Sequence, residues 1–200
     1  MKFFLYNFIL ILLLPLIISR LIIRSLKDRD YIKNISNRFG IYENETESNP
    51  VWFHAVSLGE VISSETLIKK ILNDNKVVLS VSTPTGYRQA KKIFGNSLQI
   101  VYAPWDIYFF VNNFLKKFNP KALIIFETEI WPSMIKASSA KKIPIFLTNA
   151  RLSQESNSKY SNIKFFLKEV VELFTLVLAQ TNKHYDCLLY TSDAADEGHC

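Results

Sequence analysis

The sequence predicts an α/β fold in which a parallel sheet carries helices on both faces, preceded by an N-terminal membrane-anchor helix. From residue 51 onward, short β-rich runs alternate with helix-like stretches, which is the pattern of βαβ units. Several runs, such as ALIIF and VVLSV, are almost continuously apolar, as expected for strands buried on both faces. The globular part is therefore interpreted as a doubly wound, Rossmann-like domain.

Composition and charge limit the function classes. The chain has 200 residues, of which 48% are hydrophobic and 21% charged, enough apolar surface for a folded core and too much for disorder. The formal net charge of +6 could suit nucleic acid, anionic lipid or a phosphorylated substrate. Cys187 and Cys200 give neither a disulfide framework nor the spacing of a zinc site.

Residues 1–24 form the predicted membrane anchor. Phe3 to Ile18 is almost wholly apolar, and about 17 residues make a short span for a bilayer core roughly 30 Å thick. Only Lys2 precedes this run and no A-x-A-like site follows, so a signal peptide is disfavoured. A spanning helix and an interfacial or hairpin segment bent at Pro15 both remain open.

Residues 25–50 are interpreted as a basic juxtamembrane segment and linker. Basic residues just past a membrane segment mark the cytoplasmic side and attract anionic head groups, which places the globular part at the cytoplasmic face. The linker, residues 41–50, is polar and ends in Pro50. The basic residues are Arg20, Arg24, Lys27, Arg29, Lys33 and Arg38.

The Rossmann-like domain is predicted to occupy residues 51–186. Residues 187–200 change composition abruptly and are interpreted as a non-native tail without function. The predicted strands are Val51–Val56, Val77–Ser82, Leu98–Ala103, Ala122–Glu127, Ile143–Thr148 and Leu176–Gln180. The predicted helices lie near residues 58–73, 84–94, 106–118, 129–140 and 155–173.

Polar clusters follow the strands, where ligands of open α/β sheets bind. In the first cluster, HAVSLGE, Ser57 and Glu60 have the S-x-x-E spacing of a helix capping box. Glu60 could also be a general base, because a helix N-terminus favours an ionised carboxylate and Gly59 leaves room for a substrate hydroxyl. His54 is either a hydrogen-bonded strand residue or a ligand contact.

The second cluster, STPTGY, begins at Ser82. A hydroxyl residue followed by proline is an ordinary helix start, and a helix N-terminus with hydroxyl and glycine residues is also an anion site. The chain contains neither G-x-G-x-x-G nor G-x-x-x-x-G-K-[ST], so a dinucleotide or triphosphate site of those types is unsupported.

In the third cluster, YAPWD, we expect Asp106 to cap the helix that follows.

The fourth and fifth clusters contain a possible charge pair. Glu127 in ETEIWP is expected at a strand end facing the cleft, where an unpaired carboxylate is costly. Arg151 in TNARLS is one candidate partner. It could alternatively clamp a phosphate or carboxylate through two hydrogen bonds.

Six blocks of the sequence resemble those of the 3-deoxy-D-manno-octulosonic acid (Kdo) transferases in order and spacing, over roughly residues 1–185. The H-A-x-S-x-G-E and E-T-E-x-W-P patterns are specific to that family. Val56 and Leu58 depart from it inside the first block, as does Ser133 where asparagine commonly follows the Trp-Pro pair. The blocks are NRFG (Asn37–Gly40), WFHAVSLGE (Trp52–Glu60), STPTG (Ser82–Gly86), YAPWD (Tyr102–Asp106), ETEIWP (Glu127–Pro132) and NARLS (Asn149–Ser153).

The resemblance implies the N-terminal, acceptor-binding domain of a GT-B glycosyltransferase at the cytoplasmic face of the inner membrane. The implied reaction transfers Kdo from CMP-Kdo to the lipid A precursor, lipid IVA, with inversion, and with Glu60 as general base. No metal or other cofactor is expected. The implied acceptor-binding or cleft residues are His54, Ser57, Gly59, Ser82, Thr83, Thr85, Gly86, Glu127 and Arg151.

The expected partners are the lipid A precursor, anionic inner-membrane lipids and CMP-Kdo, and no nucleic acid. CMP-Kdo would bind mainly through a C-terminal domain that is absent from these 200 residues, so we expect this chain to be inactive alone. Two alternatives remain open: a non-catalytic, membrane-tethered Rossmann-like binding module, and a different GT-B transferase that uses a UDP-sugar.

Overall fold

The computed structural model describes residues 2–43, 49–127, 130–150 and 169–179. They contain one parallel sheet with the strand order β3-β2-β1-β4-β5-β6, which is the order of the doubly wound dinucleotide-binding fold. The Rossmann-like prediction is therefore confirmed. The strands are β1 Val51–His54, β2 Val77–Val81, β3 Gln99–Tyr102, β4 Ala122–Phe126, β5 Ile145–Ala150 and β6 Leu176–Ala179.

Helices cover both faces of the sheet, as predicted. Alternate side chains of a strand point to opposite faces, and Trp52 and Phe53 of β1 accordingly belong to different hydrophobic clusters. Helices α5 and α6 pack on the Trp52 side, and α2, α3 and α4 pack on the Phe53 side. The helices are α1 Lys2–Ser25, α2 Leu58–Ser63, α3 Glu65–Leu72, α4 Pro84–Phe94, α5 Tyr108–Phe118 and α6 Pro132–Ala140.

The observed elements differ from the predicted ones at several ends, and two of these differences have a clear physical cause. The predicted helix 58–73 is two helices separated at the buried Ser64, whose hydroxyl donates to the Val61 carbonyl at 3.3 Å. Strand β5 starts at Ile145, directly after Pro144, which has no N–H to donate to the sheet. Most of the predicted helix 155–173 lies outside the described residues.

The prediction that Asp106 caps the helix following it is wrong. The N-cap of α5 is Ile107, which makes no side-chain cap hydrogen bond. The Asp106 carboxylate instead accepts the backbone N–H groups of Ser133 at 3.0 Å and Met134 at 2.8 Å. Because the loop after β3 lies beside the start of α6, Asp106 caps a helix that is remote in sequence.

Helix α1 runs through Pro15 without a break and packs lengthwise against the globular domain. The Tyr6 hydroxyl donates to Asp106 at 2.8 Å, and Asn7 Oδ1 accepts the Tyr108 N–H at 2.7 Å. Near the other end of α1, Leu21 is buried. Among the described helices, α1 alone is long and apolar enough to cross a membrane. Its outer face exposes Phe4, Leu5, Phe8, Ile9, Leu12, Leu13 and Leu16.

The segment expected to be a linker is folded onto the domain as far as residue 43. It forms two short 3-10 helices, Arg29–Tyr31 and Ile35–Phe39, and Gly40 ends the second with a φ of 74°. Asp28 accepts from Arg88 of α4 at 3.0 Å, tying this segment to the Phe53 side of the sheet. The Tyr42 side chain is buried in the core on the Trp52 side.

Candidate functional site

The candidate site lies at the carboxyl ends of β1 and β4, in the middle of the sheet. The chain leaves β1 towards β2 on one side and leaves β4 towards β5 on the other. The register pairs His54 of β1 with Ile125 of β4. The loops that follow these strands therefore diverge and form the crevice in which this fold binds ligands.

Glu60 stands at the first turn of α2 and is only 6% exposed. Its Oε2 accepts the Val56 N–H at 2.7 Å, and its Oε1 accepts the Ser57 hydroxyl at 2.7 Å. Ser57 Oγ in turn accepts the Glu60 N–H at 3.4 Å. The predicted cap is thus confirmed, with Val56 rather than Ser57 supplying the backbone N–H. The carboxylate therefore has a fixed position.

Gly59 precedes Glu60 in the first turn of α2 and is exposed. A Cβ atom added there would meet only the Ser57 hydroxyl, at 3.9 Å. The backbone at Gly59 therefore borders open space among the described residues, and the approach of a substrate hydroxyl to Glu60 stays a prediction.

His54 is fully buried and hydrogen-bonded within the sheet. Its Nδ1 lies 2.8 Å from Ser80 Oγ, which also accepts the Trp52 Nε1–H at 2.7 Å. This contact permits either neutral tautomer, because Ser80 Oγ can donate its own proton to Nδ1 or accept a second hydrogen bond from it. Burial lowers the pKa of His54 to about 4, against a smaller opposing effect of Ser80. The structural interpretation of His54 is confirmed, and a ligand contact stays a prediction.

The Ser82–Gly86 loop is joined to the loop that carries Glu60. The Ser82 N–H donates to the Val56 carbonyl at 3.0 Å, and Thr83 Oγ1 accepts the Gly86 N–H at 3.1 Å as the cap of α4. A Cβ atom at Gly86 would lie 3.3 Å from the Ser57 carbonyl carbon. Glycine therefore allows the start of α4 to approach the β1–α2 loop closely.

The two other hydroxyls of this loop differ in exposure. The exposed Thr85 hydroxyl donates to Thr83 Oγ1 at 3.3 Å. Ser82 Oγ is buried and has no hydrogen-bond partner among the described residues. The predicted residues of the first two clusters thus form one connected loop pair.

Glu127 follows β4 at the same edge of the sheet. It is half-buried, its N–H donates to the Thr148 carbonyl at 2.8 Å, and its φ is 65°. Positive φ is uncommon outside glycine and often marks functional sites. Arg151, its predicted partner, lies outside the described residues, so that pairing stays a prediction.

Arg38 belongs to this region, although the sequence suggested only a basic stretch. Its guanidinium donates to the Ser82 carbonyl at 3.1 Å and lies 4.6 Å from the centre of the Tyr102 ring. The residue is 5% exposed, and burial lowers its pKa. Arg38 forms no ion pair with a carboxylate of the described residues. It therefore holds positive charge behind the Ser82–Gly86 loop.

Comparison with known proteins gives a family match and several relatives. Residues 33–192 match the family described as 3-Deoxy-D-manno-octulosonic-acid transferase (kdotransferase). A 3-deoxy-D-manno-octulosonic acid transferase of Haemophilus influenzae is 33% identical over 95% of this chain and 46% of its own length. A bifunctional glycosyltransferase/methyltransferase of Fusobacterium nucleatum is 32% identical over 74% of this chain and 23% of its own length. The chain thus spans less than half the length of these curated relatives.

A solved structure supports the fold alone. The crystal structure of UDP-GlcNAc 2-epimerase from Neisseria meningitidis bound to UDP-GlcNAc matches with a TM-score of 0.50 at 15% identity. The match covers 76% of this chain and 45% of the epimerase chain.

Proposed function

The chain belongs to the Kdo transferase family, and from this premise we propose that the full-length protein transfers Kdo from CMP-Kdo to the lipid A precursor, lipid IVA. The observation that carries the proposal is the Glu60 carboxylate, fixed by Val56 and Ser57 at the carboxyl edge of the sheet. A transferase of this kind needs one group there to remove the proton of the acceptor hydroxyl.

We assign the role of general base to Glu60. The N-terminus of α2 and the Val56 N–H both favour the ionised carboxylate. The Ser57 hydroxyl can rotate away from Oε1, so that an acceptor hydroxyl takes its place as donor. Glu60 then accepts the acceptor proton while the acceptor oxygen bonds to the anomeric carbon of Kdo. The bond from that carbon to the CMP phosphate oxygen breaks, and CMP leaves with the electron pair and the configuration inverts.

The remaining loop residues position the acceptor in this proposal. Ser82, Thr83 and Thr85 supply hydroxyls beside Glu60, and the buried Arg38 favours a phosphorylated sugar close to them. Glu127 orients the acceptor from the opposite side of the crevice. Neither the proton transfer to Glu60 nor the transfer of Kdo requires a metal in this mechanism, and none is proposed.

The location follows from α1 and the segment after it. The apolar outer face of α1 would enter the inner membrane, and the basic residues next to it would contact anionic lipids. The crevice would then lie at the cytoplasmic face, where a lipid-borne acceptor could reach it without leaving the bilayer completely.

The base role is tested by Glu60→Gln in the full-length protein. Glutamine keeps the size of the side chain and removes its ability to take a proton. We expect kcat for Kdo transfer to fall by at least about a hundredfold. The matched control is Glu65→Gln, at a partly exposed glutamate paired with Lys69 on α3, which should leave kcat within about twofold.

Three outcomes would contradict the proposal. Full activity of a folded Glu60→Gln protein would exclude Glu60 as the base. An inactive wild-type protein would favour the non-catalytic binding module. Transfer from a UDP-sugar in place of CMP-Kdo would identify a different GT-B transferase. The thermal stability of the variant is measured in parallel. Loss of the helix cap alone would lower the free energy of unfolding by about 1 kcal/mol, and this effect is thereby distinguished from loss of the base.

A further inference from the structure

A groove with a volume near 360 Å³ lies between α1 and the globular domain. This volume falls in the range of small-molecule sites, about 300–1,000 Å³. One wall is α1, and the other is formed by the loops after β3 and β4. The apolar residues that line it are Leu10, Leu14, Ile17, Trp105, Ile130 and Trp131.

The polar atoms at one end of the groove are already satisfied. Asp106 lines the groove together with Tyr6. Its carboxylate accepts the Tyr6 hydroxyl and the backbone N–H groups of Ser133 and Met134. The groove therefore presents apolar side chains and a carboxylate that already accepts three hydrogen bonds, which favours an apolar occupant.

The groove connects two surfaces that matter for a lipid substrate. On one side, α1 exposes Leu5, Leu12 and Leu16 on the face that points away from the groove-lining residues of the same helix. On the other side, Trp131 packs edge-on against His54 of β1, with the ring centres 5.3 Å apart. One wall of the groove thus faces the membrane with its outer surface, and the other reaches the sheet edge that holds the candidate site.

We propose that this groove binds one acyl chain of the lipid acceptor and thereby holds the acceptor sugar at the sheet edge. The inference rests on the proposed function and adds the part of the substrate that this chain would recognise. About 16 Å of helix separates Tyr6 from Ile17, so the wall is long enough to take a fatty chain lengthwise. A chain drawn from the adjacent leaflet would stay in apolar surroundings throughout.

The kinetic test fills the groove in the full-length protein with Leu14→Trp. Two acceptors are compared: the acylated lipid A precursor in micelles and its fully deacylated sugar phosphate in water. We expect Leu14→Trp to lower kcat/KM for the acylated acceptor at least about tenfold. The indole ring would exclude at least two methylene groups of the acyl chain from the groove, and the lost burial corresponds to about that factor. Transfer to the deacylated acceptor should stay within about twofold of wild type.

The matched control is Leu12→Trp, on the same helix at a position that is 70% exposed. It adds the same bulk on the outer face and should change neither acceptor's kinetics. Equal losses for both acceptors with Leu14→Trp, or no loss for either, would contradict the inference. If wild type transfers Kdo to neither acceptor, the proposed function fails instead, so the two failures are distinguishable.

A binding measurement decides the matter if Leu14→Trp does not fold. Brominated acyl chains quench tryptophan on contact, and Trp105 and Trp131 line the groove whereas Trp52 is fully buried in the core. A brominated acceptor should quench the fluorescence of wild type but not that of the Trp105→Phe, Trp131→Phe double variant. Equally efficient quenching by brominated phosphatidylglycerol vesicles would assign the groove to bulk lipid and overturn the proposal.

Discussion

His54 and Asp106 are buried titratable side chains that make the free energy of unfolding depend on pH in opposite directions. Burial lowers the pKa of His54 to about 4 from an ordinary 6.5. Between pH 4 and pH 6.5, His54 therefore carries a proton in the unfolded chain but not in the native chain. Its contribution to the free energy of unfolding is complete above pH 6.5 and is lost as the pH falls towards 4.

Asp106 behaves in the opposite way. Burial raises its pKa to about 7 from an ordinary 3.8, although the N–H groups of Ser133 and Met134 and the Tyr6 hydroxyl lower it. Between these values the native chain holds a proton that the unfolded chain has released. Stability from Asp106 is therefore greatest near pH 4 and falls as the pH rises to 7.

We expect single substitutions to expose these two opposing slopes. The free energy of unfolding, measured by denaturant titration in detergent at pH 5, 6 and 7, should show an advantage of wild type over His54→Gln that grows with pH. The advantage over Asp106→Asn should shrink with pH. Each change is on the order of 2 kcal/mol across this interval. Stability curves parallel to wild type would show that the buried groups titrate as they do in the unfolded chain.

At the scale of elements, Gly40 determines how the second 3-10 helix meets α5. Its φ is 74°, and a Cβ atom there would collide with the Phe110 carbonyl oxygen and lie 2.9 Å from the Asn113 Cβ. Gly95, which follows α4, also has a positive φ, of 55°, but no heavy atom lies within 4 Å of its Cβ position. The two glycines thus both have a positive φ, but they differ in their surroundings and in ψ, which is 21° at Gly40 and −115° at Gly95.

This difference gives a matched pair of variants. Gly95→Ala should lower the free energy of unfolding by about 1–3 kcal/mol, the strain of a side chain in a sparsely populated φ/ψ region. Gly40→Ala should lower it more, because about 1–2 kcal/mol of left-handed strain is joined by a collision with the α5 backbone that costs about 1–3 kcal/mol or more. Chemical denaturation of both variants measures the difference. Equal losses would mean that the 3-10 segment is free to shift away from α5.

The elements differ in how far their sequences predicted them. Strands β1 and β2 were predictable because all their residues are buried and all except His54 are apolar or small. The break between α2 and α3 was not, because Ser64 has no strong helix-breaking tendency and its burial depends on the core around it.

The same distinction applies to the site. The contact of Glu60 with Ser57 spans three residues, and the sequence predicted it from the S-x-x-E pattern of a capping box. The contact of Asp106 with Tyr6 spans 100 residues, and that of Arg38 with Ser82 spans 44. Such pairings form only when the sheet is assembled, so no local sequence pattern predicts them. The groove beside α1 is likewise a product of tertiary packing.

At the scale of the whole molecule, the proposed function makes the sheet one side of a transferase cleft. This chain spans 46% of the length of its Haemophilus influenzae relative, and we propose that the donor nucleotide binds to the other half. We expect the purified 200-residue chain to transfer no Kdo from CMP-Kdo above background, while the full-length protein does. Radiolabelled Kdo incorporation into lipid measures both, and detectable transfer by the shorter chain would show that donor binding needs no further domain.

The lengthwise docking of α1 also bears on how the protein would respond to different membranes. A helix that crosses a bilayer tilts when the hydrocarbon layer becomes thicker or thinner. Helix α1 is held by Tyr6 and Asn7 near one end and by Leu21 near the other, so its inclination relative to the sheet is set by the protein. The depth at which the crevice stands above a leaflet would then be a property of the polypeptide, insensitive to the lengths of the surrounding lipid tails.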